Sequence, residues 1–482
     1  MLFSSLLFLY LFLPLCLLGY FISPKRIKNY WLLLCSLIFF AWGGVSYTVI
    51  LIGSIIINYF FGILIQKNLE NKKAYNWLKL GVGTNLLLLV IFKYANFIIA
   101  NSNGLFQSLS IPAIPQSHIL LPIGISFYTF HSLSYLVDIY HRKTTAQKNI
   151  FDLALYISMF SQLIAGPIIR YSDVWQQLNE RTHSLAKFSS GVERFLIGLG
   201  KKVLLANTFA RIADEIFKTE ASQLNALTAW LGIISYSLQI YCDFAGYSDM
   251  AIGLGRLFGF EFKENFNFPY MAKSVKEFWR RWHISLSSFF RDYVYIALGG
   301  NKVSVSRTYF NLVFVFFLTG FWHGASWSFV VWGLFHGLFM LLERIGLDKF
   351  LEKVWAPIAN LYTLLVVMFA WVLFRADSLG YALNYWQALL RFNTNPVQTV
   401  SFLSYMSLDF YLALTLALLG SWGFFNYLKT QIDKVLNSEL VLAKLVSYGF
   451  QGISVLFYGF ILILCSAYLL SGTYNPFIYY RF

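Results

Sequence analysis

The sequence predicts an all-α, polytopic integral membrane protein, and three observations carry that expectation. Of the 482 residues 58% are hydrophobic and only 12% are charged, against about 25% charged in a soluble domain, so most of the surface faces something other than water. Uncharged runs at 1–24, 29–66, 221–242, 308–342, 354–374, 410–428 and 445–480 are too long for a soluble core. Clusters of Lys and Arg alternate with these runs as cytoplasmic loops do.

Residues 1–24 form the first element. No basic region precedes them, and Lys25, Arg26 and Lys28 follow. This is the reverse of a cleavable signal peptide, so the segment is expected to stay as a helix with its N-terminus outside. Basic residues at 25–28, a bare turn at Gly43 and Gly44, basic residues at 67–79, an uncharged loop at 95–117 and basic residues at 141–148 fit five crossings. The short run at 153–169 ends in Ala165, Gly166 and Pro167 and is read as a re-entrant hairpin in preference to a span. Residues 191–210, containing Lys201 and Lys202, and 221–255, containing Asp243 and Asp249, cross out and back to a basic segment at 256–307. The run at 308–342, crossing once or twice, and three further runs bring the total to roughly eleven to thirteen hydrophobic helices, re-entrant segments included. No repeat or linker divides the chain, which is expected to form one domain over 1–482.

The excess of 37 Lys and Arg over 22 Asp and Glu belongs to cytoplasmic loops rather than to nucleic-acid binding. Cys16, Cys35, Cys242 and Cys465 lie in apolar segments without CxxC spacing, which indicates neither a zinc site nor a disulfide framework. They are expected as small core residues.

An ionisable group at membrane depth is costly and faces a protein interior or a water-filled cavity, so each one is a candidate site. His323, in GFWHGASW at 320–327, stands sixteen residues beyond Arg307, roughly 24 Å along a helix. A buried imidazole stays neutral and keeps one ring nitrogen free to take a proton, which suits a general base. Gly320 and Gly324 are expected to loosen the helix and admit backbone or substrate, against the simpler reading of a hydrogen-bonded core histidine. His283 lies in FWRRWHISL at 278–286, where positions 279, 282, 283, 286, 289, 290 and 293 share a helical face. This reads as one amphipathic helix at the cytoplasmic interface. Its basic side, with Arg280 and Arg281, binds anionic lipid headgroups or the phosphates of an acyl donor, while Trp282 and His283 help to position substrate. Asp243 and Asp249, six residues apart, fall on different faces of a helix. Buried acids held by hydrogen bonds or by Lys and Arg are the simpler reading, with Asp243 kept as a substrate-binding candidate. His336 is read as packing, and His131 with Asp138, seven residues apart on one face, as mutual support. No metal-ligand cluster, phosphate loop or serine nucleophile elbow occurs.

The strings LPIGISFYTFHSLSYLVDIY at 121–140, LIAGPIIRYSDV at 163–174, CDFAGYSDMAIGLGRLFGF at 242–260, NFNFPYMAKSVKEFWRRWHISLSSFFRDYVYIALGG at 265–300 and LTGFWHGASWSFVVWGLFHG at 318–337 resemble the membrane-bound O-acyltransferase family. Within it they are most similar to the bacterial branch that acetylates alginate and peptidoglycan, with teichoic acid D-alanyl transfer more distant. The resemblance is strongest over about 121–345. It implies a ring of helices around a central channel in which a cytoplasmic acyl thioester meets an acceptor from the other side. It places the family's invariant histidine on His323 and its second recurrent histidine on His283, with Trp322 beside the first as a substrate-binding candidate. It also implies an acetyl donor such as acetyl-CoA as co-substrate, with no bound cofactor. Further implications are an envelope polysaccharide acceptor, a separate extracytoplasmic esterase-like partner, surrounding lipids and a place in the bacterial inner membrane. Direct transfer and an acyl-histidine intermediate both remain open.

Two other classes fit part of the pattern. A transporter of a lipid-linked glycan precursor would explain helix number and intramembrane charge, but the segment around His323 has no second copy of the kind paired broken helices supply. An acyltransferase acting on D-alanyl groups, lipid or protein would share the chemistry and differ in substrate.

Overall fold

Backbone amides surrounded by lipid find partners only within their own helix or a closed barrel. Among the described residues of the computed structural model, 1–115, 119–163, 166–392, 402–436, 441–472 and 474–476, every regular element is helical. The chain forms two compact units, each assembled from separate stretches of sequence: Met1–Val192 with Ala251–Lys263 and Trp322–Ser326, and Glu193–Met250 with Glu264–Phe321 and Trp327–Phe482.

The first unit contains α1 (Leu13–Ile22), α2 (Lys28–Ala41), α3 (Val45–Lys67), α4 (Lys73–Leu89), α5 (Ala95–Ser108), α6 (Ile125–Tyr140) and α7 (Ile150–Ser158). A π-helical turn at Val90–Tyr94 joins α4 to α5. Asn58 on α3 and Asn85 on α4 exchange side-chain hydrogen bonds of 3.1 and 2.7 Å, polar glue of the kind that orders helices where apolar burial cannot. Gly62 of α3 faces Tyr135 of α6, whose hydroxyl would stand 2.4 Å from any added Cβ. The run at 153–169 makes no long helix: α7 is nine residues, only about 13 Å and too short to cross a bilayer alone. Ile164 and Ala165, where the re-entrant turn is expected, lie outside the described residues.

The second unit takes up the end of α8 (Leu185–Gly200), a π-helical turn at Lys201–Ala206, α9 (Asn207–Lys218) and most of α10 (Ala226–Leu257). Then come α11 (Val275–Arg281), α12 (Ile284–Phe289), α13 (Val305–His323) and α14 (Trp327–Leu342). It closes with α15 (Ala356–Arg375), α16 (Leu379–Leu389), α17 (Leu408–Ser421), α18 (Phe424–Leu436) and α19 (Val441–Leu470). Among the described residues five helical segments are long and apolar enough to cross a membrane, and a sixth span results if α17 and the start of α18, bent by 67°, count as one. The other apolar runs are met by shorter or more polar helices, such as the 32-residue α10 with Asp243 and Asp249. Cys16, Cys35, Cys242 and Cys465 are buried free thiols.

The run at 308–342 is two helices, and Gly320, within the first of them, acts differently from the expectation. Gly320 does not loosen α13, which continues to His323. Instead it lies against Gly333 of α14, where an added Cβ would meet the Phe329 carbonyl at 2.3 Å; one on Gly333 would meet the Phe316 carbonyl at 2.3 Å. The absent side chains let two backbones touch. Gly320→Ala therefore forces the hairpin apart and should cost about 1–3 kcal/mol, read as a lower thermal midpoint of the detergent-solubilised protein. Gly53→Ala, with nothing within 4 Å of the added methyl, should leave the midpoint where it is.

Candidate active site

Helix α13 ends at His323, and the chain turns through residues 324–326 into α14. The last carbonyls of a helix have no partner within it and need one from outside when water is excluded. Here the partner is Lys93, in the π-helical turn between α4 and α5 and only 9% exposed. Its ammonium donates to the Trp322 carbonyl at 2.5 Å, to the His323 carbonyl at 3.3 Å and to Ser126 Oγ at 3.2 Å. Trp322 completes the grip: its ring stacks on Phe130 at 5.1 Å, meets Phe127 edge-on at 5.9 Å and lies 5.6 Å from the Lys93 ammonium. His323 is 7% exposed, whereas His131, His283 and His336 are at 0%. All four histidines in the segments singled out from the sequence are therefore buried, His323 the least completely.

In the second unit the amphipathic helix expected over 278–293 is broken. His283 adopts the left-handed conformation (φ 43°, ψ 54°), so α11 stops at Arg281 and α12 begins at Ile284. Asn265 makes the break possible. Its carbonyl accepts from the Ile284 amide at 2.9 Å, and its Oδ1 accepts from the Ser285 amide at 3.1 Å and the Ser285 hydroxyl at 2.9 Å. The same Oδ1 lies 3.3 Å from His283 Nδ1. Because an amide oxygen only accepts, His283 carries its proton on Nδ1 in this contact. The ring meets Phe244 edge-on at 4.6 Å, and burial lowers its pKa from 6.5 to about 3.

The apolar side of α11 is covered by protein and not by lipid. Trp282 stacks on Phe278 at 5.5 Å and packs on Trp371 at 5.0 Å, and Trp279 donates to His336 Nδ1 at 3.3 Å. The start of α11 is tied down by Glu343, whose carboxylate accepts from the Val275 and Lys276 amides at 2.6 and 2.9 Å. Arg281 is engaged with Glu277 at 2.7 Å and with the Asn267 carbonyl at 3.1 Å, while Arg280 is exposed.

Asp243 and Asp249 have separate partners, as their spacing requires. Asp243 pairs with Lys202 at 2.7 Å, both side chains buried; Asp249 pairs with Arg194 and Lys201, each at 2.6 Å. Asp138 pairs with Lys143 at 3.4 Å rather than with His131, because seven residues of helix separate the two by about 10 Å of rise.

The sequence matches the model of the membrane-bound O-acyltransferase family over residues 40–379. The chain belongs to that family. It is 45% identical over 393 residues to the probable alginate O-acetylase of Azotobacter vinelandii, covering 81% of this chain and 78% of that one. Identity to the probable alginate O-acetylase of Pseudomonas putida is 40% over 490 residues and the full length of both. Identity to the peptidoglycan O-acetyltransferase of Helicobacter pylori is 38% over 428 residues, with 82% and 80% covered. This is accordingly a multi-pass membrane O-acyltransferase.

In this acyltransferase the residues expected from the sequence divide between the two units: Trp322 and His323 in the first, Arg280, Arg281, Trp282, His283 and Asp243 in the second. Two residues that hold the histidines were not singled out by motif. Lys93 is a lone cation in the apolar stretch LLLLVIFKYANFII at 86–99, a signal that intramembrane charge alone makes legible. Asn265 opens the NFNFPY string and gives no such sign.

The depressed His283 pKa has a consequence for stability. The unfolded chain takes a proton near pH 6.5, while the folded site refuses it until about 3. This contribution is therefore constant above pH 6.5, and stability falls as the pH drops through that window. His283→Asn, which tolerates the left-handed backbone and does not titrate, should flatten the acid side of the unfolding profile measured between pH 7 and about 4.

Proposed function

We propose that this enzyme moves an acetyl group from a cytoplasmic thioester, acetyl-CoA or a similar donor, toward hydroxyls of an extracytoplasmic polysaccharide, an alginate-like polymer or peptidoglycan. His323 serves as general base, and the enzyme works in the inner membrane with an extracytoplasmic esterase-like partner. The observation that carries this reading is the anchored imidazole at the end of α13, whose own carbonyl and that of Trp322 are held by Lys93. The names of its relatives, alginate O-acetylase and peptidoglycan O-acetyltransferase, support the acetyl group and the polymer class.

The chemistry is balanced. A hydroxyl of the acceptor or of the relay partner attacks the thioester carbonyl while His323 takes its proton; the C–S bond breaks, and the departing thiolate receives the proton from the imidazolium. General-base help of this kind is worth ~100- to 10,000-fold. His283 and Trp282 are assigned to substrate positioning, and exposed Arg280 to the anionic part of the donor, Arg281 being engaged with Glu277. The buried Asp243–Lys202 pair favours a supporting part for Asp243 over direct substrate contact.

A deletion strain complemented with His323→Ala should lose at least about 100-fold of the ester-linked acetate in its envelope polysaccharide, with the protein present in the membrane at its normal level. Acetate at the wild-type amount would remove the base assignment. Loss of ester from a lipid or protein fraction instead of the polymer would move the acceptor to another class.

A further inference from the structure

We infer that Lys93 is a positioning residue for His323, holding the helix end that carries the base without touching substrate itself. The inference rests on the reading of His323 as the base. Lys93 projects from a π-helical turn, Val90–Tyr94, set between two regular helices; such one-turn insertions rotate a side chain out of helical phase and recur at functional sites. The turn delivers a nearly buried ammonium, and among the described residues no carboxylate pairs with it. An ammonium in that setting must be solvated by dipoles, and the C-terminal end of a helix offers them in the favourable sense.

The count of donors decides between roles. An ammonium has three protons, and three acceptors stand around Lys93: the Trp322 carbonyl, the His323 carbonyl and Ser126 Oγ. With all three engaged, none is left to polarise a thioester carbonyl. What remains is mechanical: the carbonyl of His323 and that of its neighbour are held, so the backbone bearing the imidazole has a fixed place. Ser126 lies at the start of α6, just beyond Gly124 in its left-handed conformation (φ 77°), so two elements close on the helix end. A displacement of about 1 Å at a reacting group can cost on the order of 100-fold in rate.

The test uses the full chain in envelope membranes of a deletion strain, with radiolabelled acetyl-CoA as the donor probe and label in the membrane's own polymer as the readout. Lys93→Met keeps the stem and removes the charge and all three hydrogen bonds. Its maximal rate should fall about 10- to 100-fold, with KM for acetyl-CoA within about twofold of wild type, and Lys93→Arg should recover part of the rate. Ser126→Ala, which removes one acceptor, should lower the maximal rate a few-fold at unchanged KM. A wild-type rate in Lys93→Met overturns the inference, as does a rise in KM without a fall in rate. Should Lys93→Met fail to reach the membrane, a wild-type rate in Ser126→Ala overturns it equally. His323→Ala separates the two levels: if it keeps the wild-type rate, the base reading itself has failed, whereas an inactive His323→Ala beside a wild-type Lys93→Met removes Lys93 alone.

Discussion

A helix that stops where water cannot reach must have its open backbone groups closed by side chains, and that requirement organises the chemistry of this chain. Three helix ends show it. Lys93 closes the carbonyls at the end of α13, Asn265 closes the amides at the start of α12, and Glu343 closes those at the start of α11. Each closure comes from far along the chain, 230 residues away for Lys93 and His323, 20 for Asn265 and Ser285, and 67 for Glu343 and Lys276. His323 and His283 sit at two of these ends, each within its own unit, so the groups that satisfy the backbone also hold the residues that carry the imidazoles.

The charged residues away from these ends follow a different logic. Taking Lys202 and Asp243 out of water costs about as much as their attraction returns, so their pair adds little to stability over an apolar alternative. It adds register. Gly198 and Gly246 bring α8 and α10 so close that a Cβ on either would meet the opposite backbone at 2.5 or 2.8 Å. At that separation a pairing of Lys202 with Asp243, and of Lys201 and Arg194 with Asp249, is met in one alignment of the two helices. The carboxylates that the sequence sets within an apolar helix are thereby committed to cations of its neighbour.

How much of this is legible in the sequence depends on whether the signal is local. Apolar runs of about 20 residues give the helices and their class, because bilayer thickness acts on each run separately. A histidine within such a run, as His323 is, is conspicuous for the same reason. The break at His283 is not legible: Trp282, His283 and Ile284 include neither glycine nor proline, and the apolar period of 278–293 continues through the break. Only the closure by Asn265, made in three dimensions, shows why the backbone turns left-handed there. Gly320 illustrates the same limit. The sequence marks it as a place of close approach, and the fold alone says that the approaching group is the backbone of α14 and not a ligand.

A histidine inside a helix and one at its end are held by different means, and the end of α13 shows the second. An imidazole in the middle of a packed helix is held well and reached by nothing, as His336 is, at 0% exposed among Trp279, Trp332 and Phe278. Ending the helix at His323 leaves the last turn free to fray, since its carbonyls no longer bond within the helix. A cation that bonds those carbonyls opposes the fraying. A neutral donor would meet the same acceptors with less force, charge-assisted bonds being about twice as strong. A lysine at 93, rather than a serine or asparagine, is what holds this helix end where no further turn can.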